Sequence, residues 1–264
     1  MRPIVAFAAL VVAGCAGTHI AFPSGSPTPS PDALPHWAEA TAACRGANVY
    51  TAELTVDGLV GSERLRHVVL QGAMTREGRV RLVAVAPAGP AIFTLAGTDS
   101  RATLTLPRQE RVVRATASEI VAALIGVTLS NADWLHVLSG CVSAAPAAEA
   151  VRIGDVTIVS LADRVSRVRL DQTGREWRLT AGERPDLLVE YEEFLGRWPK
   201  AVRVASRSGA AVPVNLSMTI SQVNVNIDLP ESAFALDVPA TFLPMTLDEL
   251  RALGPLAERG GDSR

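Results

Sequence analysis

The four histidines are the residues of this chain most able to bind a metal ion or to transfer protons, but their spacing supports neither role. His19, His36, His67 and His136 lie far apart, and none belongs to an HExxH or HxxxH pattern that would place two imidazoles on one helix face. The 264 residues also contain no GxSxG, no P-loop and no GxGxxG. The sequence therefore predicts no catalytic centre, no metal site and no cofactor.

Cys15 ends an N-terminal targeting segment. Residues 1–14 carry one positive charge at Arg2, an apolar run from Ile4 to Ala13 and small residues before the cysteine, which predicts a signal peptide over 1–14. The run is about half the ~20 residues that span a bilayer. The sequence Val-Ala-Gly-Cys at 12–15 resembles the bacterial lipobox, whose cysteine receives a diacylglyceryl group and an N-acyl chain. We therefore expect lipid attachment at Cys15; the alternative is a non-lipidated signal with a chance cysteine.

The segment 15–35 has the composition of a tether. It contains five prolines among Ser, Thr and Gly, a composition that packs no core and stays extended. Ala16 follows the lipidated cysteine, and the absence of Asp at that position resembles the outer-membrane sorting pattern of Gram-negative bacteria. The sequence thus predicts a protein held at the outer membrane by its lipid, with the rest of the chain facing the periplasm.

Cys44 and Cys141 remain as a pair if Cys15 is lipidated. An exported chain meets an oxidising environment, so the sequence favours a disulfide between them; two buried free thiols are the alternative. The bridge would close a loop of about 100 residues and contribute roughly 4 to 5 kcal/mol in the chain-entropy description.

Alternating apolar and polar residues predict an antiparallel sheet. At 50–57 the apolar residues Tyr50, Ala52, Leu54 and Val56 take every second position, the period of a half-buried strand. Five further runs follow, with turn residues between them, at 65–74, 79–86, 91–96, 101–106 and 111–115. They are too closely spaced for the crossovers that parallel strands need, so they form a meander.

The second half of the chain repeats this pattern after a helical interval. Helices are predicted at 36–45, with Leu34, Trp37, Thr41 and Cys44 on the buried face, and at 118–126 and 132–139. We call the last two the lid helices, because they would cover one face of the sheet. A linker is predicted at 143–150. Strands are then predicted at 153–161, 166–170, 175–180, 187–191, 201–206 and 214–229, the last with a bulge near 221–222. A short helix is predicted after Thr246 and a disordered tail at 255–264.

Charge and composition narrow the class of partner. A net charge of −2 and a pI near 6.1 provide no basic field for phosphates, which argues against nucleic acid. Hydrophobic residues make up 48% of the chain but aromatic residues only 5%, so Val, Leu and Ala must fill the interior.

The order of these parts resembles the bacterial LolA/LolB superfamily of lipoprotein carriers and outer-membrane lipoprotein receptors, and related mycobacterial lipid-carrying lipoproteins. The resemblance covers about 35–253 and includes the late runs Val-Asn-Val-Asn-Ile at 223–227 and Phe-Ala-Leu-Asp-Val-Pro at 234–239. It implies a mainly β fold over 36–254, a strongly curved antiparallel sheet forming an incomplete β-barrel of about 11–12 strands, with short helices as a lid. Membrane-inserting receptors of the superfamily carry a bulky apolar residue on an early loop, whereas the matching turn here is Pro-Ala-Gly-Pro at 87–90.

The resemblance and the strand pattern together predict an apolar ligand cavity between sheet and lid. Its candidate lining residues are Leu54, Val56, Val68, Leu70, Leu82, Leu104, Leu124, Trp134 and Leu138. The expected ligands are acyl chains of a lipid or lipoprotein, and a transport protein of the envelope is a candidate partner. The predicted function is that of a membrane-anchored lipoprotein in lipid or lipoprotein transport and not that of an enzyme; the alternative is a structural or adaptor lipoprotein that binds a protein partner.

Overall fold

The computed structural model describes residues 22–85, 90–254 and 256. The predicted signal peptide, Cys15 and most of the tail lie outside these ranges. Within them the chain forms one large, curved, open sheet with short helices. Its fifteen strands are β1 (Thr28–Pro29), β2 (Val49–Val60), β3 (Glu63–Thr75), β4 (Arg79–Val85), β5 (Phe93–Thr98), β6 (Ala102–Leu106), β7 (Arg111–Ala115), β8 (Ala147–Ile153), β9 (Val156–Leu161), β10 (Arg167–Thr173), β11 (Glu176–Glu183), β12 (Leu187–Leu195), β13 (Trp198–Ser206), β14 (Val214–Val225) and β15 (Leu243–Pro244). The described helices are α1 (Ala33–Gly46), α2 (Ala117–Ile125), α3 (Asn131–Ser139) and α4 (Leu247–Leu253).

The sheet is two meanders joined at its centre. The strand order is β1-β8-β9-β10-β11-β12-β13-β14-β2-β3-β4-β5-β6-β7-β15, so the last long strand, β14, pairs with the first, β2. The neighbours are antiparallel except β15, which runs parallel to β7. The predicted curved antiparallel sheet is confirmed, and eleven of the twelve predicted runs each overlap one strand of it.

Alternation sets which face of each strand is buried. In β2 the side chains of Tyr50, Ala52, Leu54 and Val56 are buried, and the register pairs Leu54 with Leu70 on β3. β14 approaches β2 very closely at Gly58, whose φ is 138° and where a Cβ would overlap the carbonyl of Asn215. This crossing needs glycine because no side chain fits between the two strands.

The bulge expected in the last strand is confirmed. The register of β14 against β2 shifts between Ser221 and Asn224, and Gln222 has a φ of 53°. The extra residues move the apolar side chains from even to odd positions.

The linker predicted at 143–150 is wrong, because Ala147–Ile153 forms β8. The strand predicted at 153–161 is in fact two strands, with a turn at Gly154, where φ is 59°. In β8 only Ala150 is buried, since the strand lies next to an edge of the sheet with much of its surface in solvent. Because only one position is buried, the sequence of this strand has no alternation of apolar and polar residues that would predict it.

The described part of the predicted tether, 22–35, is partly folded. Thr28 and Pro29 pair with β8, and the Ser30 N–H donates to the Ala150 carbonyl at 2.9 Å. Helix α1 begins at Ala33, three residues earlier than predicted, and buries Ala33, Trp37, Thr41 and Cys44, which is nearly the predicted face.

Caps mark the starts of the short helices. Thr116 and Glu119 form a capping box at α2, where Ser118 was the predicted cap. Ser130 caps α3 as predicted, and Thr246 forms a second capping box with Glu249 at α4. No helix in the described ranges is both long enough and apolar enough to cross a bilayer.

Each end of the curved sheet is formed by a set of turns. We call one the upper end; it contains the turns at 61–62, 107–110, 162–166, 184–186 and 207–213. The lower end contains the turns at 76–78, 99–101, 154–155, 174–175 and 196–197.

Candidate functional site

A cavity of about 50 Å³ lies between the concave face of the sheet and helices α2 and α3. Its wall is aliphatic and methionine side chains apart from Asn131 and the indole of Trp134. The lining residues are Leu54, Val56, Leu65, Val68, Leu70, Met74, Leu82, Val121, Ile125, Asn131, Trp134, Leu138, Leu216, Met218 and Leu256. We call this space the inner cavity.

Hydrogen bonds close the inner cavity at the lower end. The side-chain amide of Asn131 donates to the Gly78 carbonyl at 3.0 Å, and its backbone N–H donates to the Asp99 carboxylate at 2.8 Å. The Asp99 N–H in turn donates to Gly78 at 2.9 Å. These bonds tie the start of α3 to the β3–β4 and β5–β6 turns.

Helix α3 is also fixed along its length. The Tyr191 hydroxyl donates to the Val137 carbonyl at 2.9 Å, and the Tyr50 hydroxyl donates to Leu138 at 3.4 Å. Burial raises the pKa of both phenols, so both remain neutral donors. A disulfide joins Cys141, just after α3, to Cys44 on α1, with the two Cα atoms 5.8 Å apart. The predicted pairing is confirmed.

An ion pair fixes the outer side of α3. Arg184 donates to the Asp133 carboxylate at 2.9 Å. Burial alone would raise the pKa of Asp133, but the hydrogen bond and charge of Arg184, with the Ser130 hydroxyl, outweigh it and lower that pKa. On the same helix, burial lowers the pKa of His136. The hydrogen bond with the Ala132 carbonyl and the charge of Asp133 raise that pKa, the charges of Arg76 and Arg45 lower it, and the net shift is downward. His136 is therefore neutral at pH 7.

Helix α2 is held differently. Its first residue, Ala117, donates to the Asp99 carbonyl at 3.2 Å, but from Ile120 onwards its buried side chains are aliphatic. On its other side α2 packs against α4, where Leu250 is fully buried. The two predicted lid helices are thus unequal, since α3 is fixed by polar and covalent bonds whereas most of α2 is held by apolar packing.

A second pocket, of about 200 Å³, opens at the upper end; we call it the outer pocket. It is lined by Val60, Glu63, Leu65, Ala122, Ala123, Leu124, Gly126, Val212, Arg251, Gly254 and Leu256. Leu65 and Leu256 line both spaces, so these two side chains form the wall between them. The mouth of the inner cavity is therefore at the upper end, and Leu256, which is 7% exposed, closes it.

A solved structure decides the type of fold. A LolA superfamily protein from Nitrosomonas europaea superposes with a TM-score of 0.50 at 12% identity, covering 76% of this chain and 97% of that one. The chain has a LolA-like fold. No protein-family model matches the sequence, and no curated protein does.

Two further solved structures are similar at lower scores. A DUF1329 family protein from Desulfovibrio piger matches with a TM-score of 0.46 at 13% identity, covering 76% of this chain and 97% of that one. The lipoprotein LppX from Mycobacterium tuberculosis matches with a TM-score of 0.33 at 10% identity, covering 76% of this chain and 99% of that one.

Within this LolA-like fold, seven of the nine predicted cavity residues line the inner cavity. They are Leu54, Val56, Val68, Leu70, Leu82, Trp134 and Leu138. Leu104 is fully buried on β6 and lies outside the lining, while Leu124 lines the outer pocket. Leu104 is on a strand beyond those that line the inner cavity, and Leu124 lies on the side of α2 that faces the outer pocket.

Sequence reasoning missed several lining residues. Leu216 and Met218 follow the even-numbered alternation of β14 and could have been found from it. Leu256 could not, because it follows Gly254-Pro255 in a stretch predicted as tail.

The polar groups near the cavity are few. In the described part of the chain, the indole N–H of Trp134 is buried with no hydrogen-bond partner. Residues 22–85, 90–254 and 256 contain no group of three or more His, Cys, Asp or Glu side chains placed to hold a metal ion.

Proposed function

We propose that this protein is a lipid-anchored envelope lipoprotein that binds acyl chains of a lipid or lipoprotein in the inner cavity. It would act as a carrier or receptor in transport at the outer membrane, facing the periplasm, and not as an enzyme. The observation that carries the proposal is the inner cavity itself, an apolar space whose mouth is closed by apolar contacts.

The driving force is the burial of hydrocarbon. Each methylene removed from water contributes about 0.8 kcal/mol, so sheltering eight of them contributes roughly 6 kcal/mol before the costs of binding. Such contacts have no direction, which suits a protein that must also release its ligand.

The cavity must widen to accept a chain. Its 50 Å³ is room for only about four waters, whereas ligand pockets commonly measure about 300 to 1,000 Å³. Helix α2, with α4 and Leu256, is the wall that can move, because its contacts with the sheet are mostly apolar. Helix α3 stays in place.

The small volume also supports a second candidate, an adaptor lipoprotein with a packed core that binds a protein partner on its surface. In that case the inner cavity would be a packing defect and would take up no lipid. The two candidates therefore differ in whether acyl chains enter the protein.

A pair of neighbouring substitutions tests the choice. Val68 lines the inner cavity, and Val69, the next residue on β3, faces the opposite side of the sheet. We expect Val68→Phe to fill the cavity and to weaken binding of a fluorescent fatty acid at least tenfold, and Val69→Phe to leave it unchanged. Thermal unfolding of both variants checks that each is folded.

Native mass spectrometry of the purified protein complements the titration. Co-purifying lipid would support the carrier proposal. If the unsubstituted protein carries no lipid and binds no probe, the adaptor function is correct.

A further inference from the structure

The wall of the inner cavity follows the strands from one end of the sheet to the other. On β3 the lining begins at Leu65 and ends at Met74. The register pairs Leu65 with Gly58 of β2 and Met74 with Tyr50. Positions 58 and 50 are eight residues apart on β2, so the lining extends about 26 Å along the strand at about 3.3 Å per residue. The wall therefore covers most of the height of the sheet.

The lower end of this path has a floor that is held by polar bonds. Just beyond Met74 the chain turns, and the carbonyl of Gly78 in that turn accepts from the side-chain amide of Asn131 at 3.0 Å. Asn131 is buried, so breaking this bond would leave two buried polar groups unpaired. The floor therefore stays closed when α2 moves, and its distance from the mouth is constant.

The upper end of the path differs in polarity. Beyond Leu256 lies the outer pocket, whose lining includes the charged side chains of Glu63 and Arg251. The lining of the inner cavity contains no charged side chain. Because an ionised group loses much of its hydration energy in an apolar space, a lipid would enter the inner cavity with its hydrocarbon end first. Its polar head would remain in the outer pocket.

We propose that the inner cavity selects straight acyl chains by their length. The chain lies along β3, with its methyl end at the floor beside Met74 and its head in the outer pocket. The inference rests on the proposed function and names the ligand class of that site.

The length limit follows from the register. Van der Waals contact takes up about 2 Å at each end, which leaves about 22 Å of the path for the chain. An extended chain with single bonds of about 1.5 Å advances about 1.25 Å per carbon, so about 18 carbons fit. Movement of α2 changes the width of the path, whereas the sheet and the floor determine its length.

Competition binding measures the dependence on chain length. Straight-chain fatty acids shorter and longer than the limit, each below its critical micelle concentration, displace a fluorescent fatty acid from the unsubstituted protein. Up to about 18 carbons we expect the dissociation constant to fall about fourfold for each added carbon, the effect of burying one methylene. Beyond that length the added carbons stay in water, so the dissociation constant should change by less than about twofold.

Two variants should move this break in opposite directions. Leu70 pairs with Leu54, four residues from Tyr50 on β2, so a larger side chain there blocks the lower part of the path. We expect Leu70→Trp to shorten the limit by about ten carbons, the length of four strand residues. Met74→Ala removes the outer atoms of a side chain at the floor and should lengthen the limit by about two carbons.

Gln71→Trp is the matched control for the blocked path. Gln71 follows Leu70 on β3, is exposed and faces the opposite side of the sheet, so this variant should keep the break of the unsubstituted protein. Thermal unfolding checks that each variant is folded. If either Leu70→Trp or Met74→Ala is unfolded, the shift in the other decides.

A dicarboxylic acid of the limiting length tests the direction of entry. Its second carboxylate would have to lie at the apolar floor, so we expect it to bind at least about 100-fold more weakly than the monocarboxylic acid of the same length. Equal binding of the two acids would overturn the proposal.

The chain-length series also separates this inference from the proposed function. If fatty acids bind but the affinity shows no break, or the break stays at the same length in the folded variants, selection by length is wrong and the carrier function stands. If no fatty acid of any length binds, the carrier function is wrong and this inference fails with it.

Discussion

Truncating the leucine that closes the mouth should make acyl-chain binding tighter. Leu256 lies between the inner cavity and the outer pocket and is 7% exposed, so almost its whole side chain is buried when the mouth is closed. In an open form this burial is lost. Leu256→Ala therefore destabilises the closed form more than the open form.

The size of the effect follows from that burial. Burying a leucine contributes about 1.5 to 3 kcal/mol, which corresponds to a shift of roughly 10- to 150-fold in the equilibrium between closed and open forms. When the closed form dominates, the apparent dissociation constant falls by the same factor, because it equals the intrinsic constant divided by the open fraction.

Equilibrium titration with a fluorescent fatty acid measures the change. Leu243→Ala is the matched control, since Leu243 is 61% exposed and its truncation removes little burial. The reasoning is refuted if Leu256→Ala binds the probe no more tightly than the unsubstituted protein, because closure by Leu256 would then not limit entry.

Three further predictions follow from the anchor, the disulfide and the histidine on α3. Cys15→Ser should move the protein from the membrane to the soluble fraction, and retention on membranes after a salt wash would contradict lipid attachment. Replacing Cys44 and Cys141 together by Ala should lower the free energy of unfolding in a denaturant titration by about 4 to 5 kcal/mol, since the bridge closes a sequence separation of 97 residues. An unchanged denaturant concentration at the midpoint of unfolding would contradict this stabilisation by the disulfide. Burial lowers the pKa of His136 from 6.5, so the unfolded chain binds more protons as the pH falls through that value. The free energy of unfolding should therefore fall as the pH is lowered through about 6.5, and His136→Gln should remove that part of the fall.

The sequence by itself determined most of the strands, the caps of α3 and α4 and the pairing of Cys44 with Cys141. Alternation in β2 already assigns Leu54 and Val56 to the concave face, because successive side chains of a strand point to opposite sides. The parity change near Ser221 likewise shows the bulge, since one added residue exchanges the two faces. With Cys15 assigned to lipid, two cysteines were left to pair.

Only the tertiary structure decided which wall of the cavity is fixed. The sequence shows two capped helices of similar length, and nothing in them distinguishes α2 from α3. The difference comes from groups far away in sequence, such as Gly78 accepting from Asn131 and Tyr191 donating to Val137. Local pattern cannot report hydrogen bonds between residues that the fold alone brings together.

The same reason explains β8 and Leu256. The backbone of β8 forms its hydrogen bonds with β9, so this segment forms a strand without an alternating apolar pattern. Leu256 is buried because α4 returns it to the upper end, against a space that the curvature of the sheet leaves unfilled. Neither the curvature nor that return is a local property of the chain, so the mouth could be located only in the folded protein.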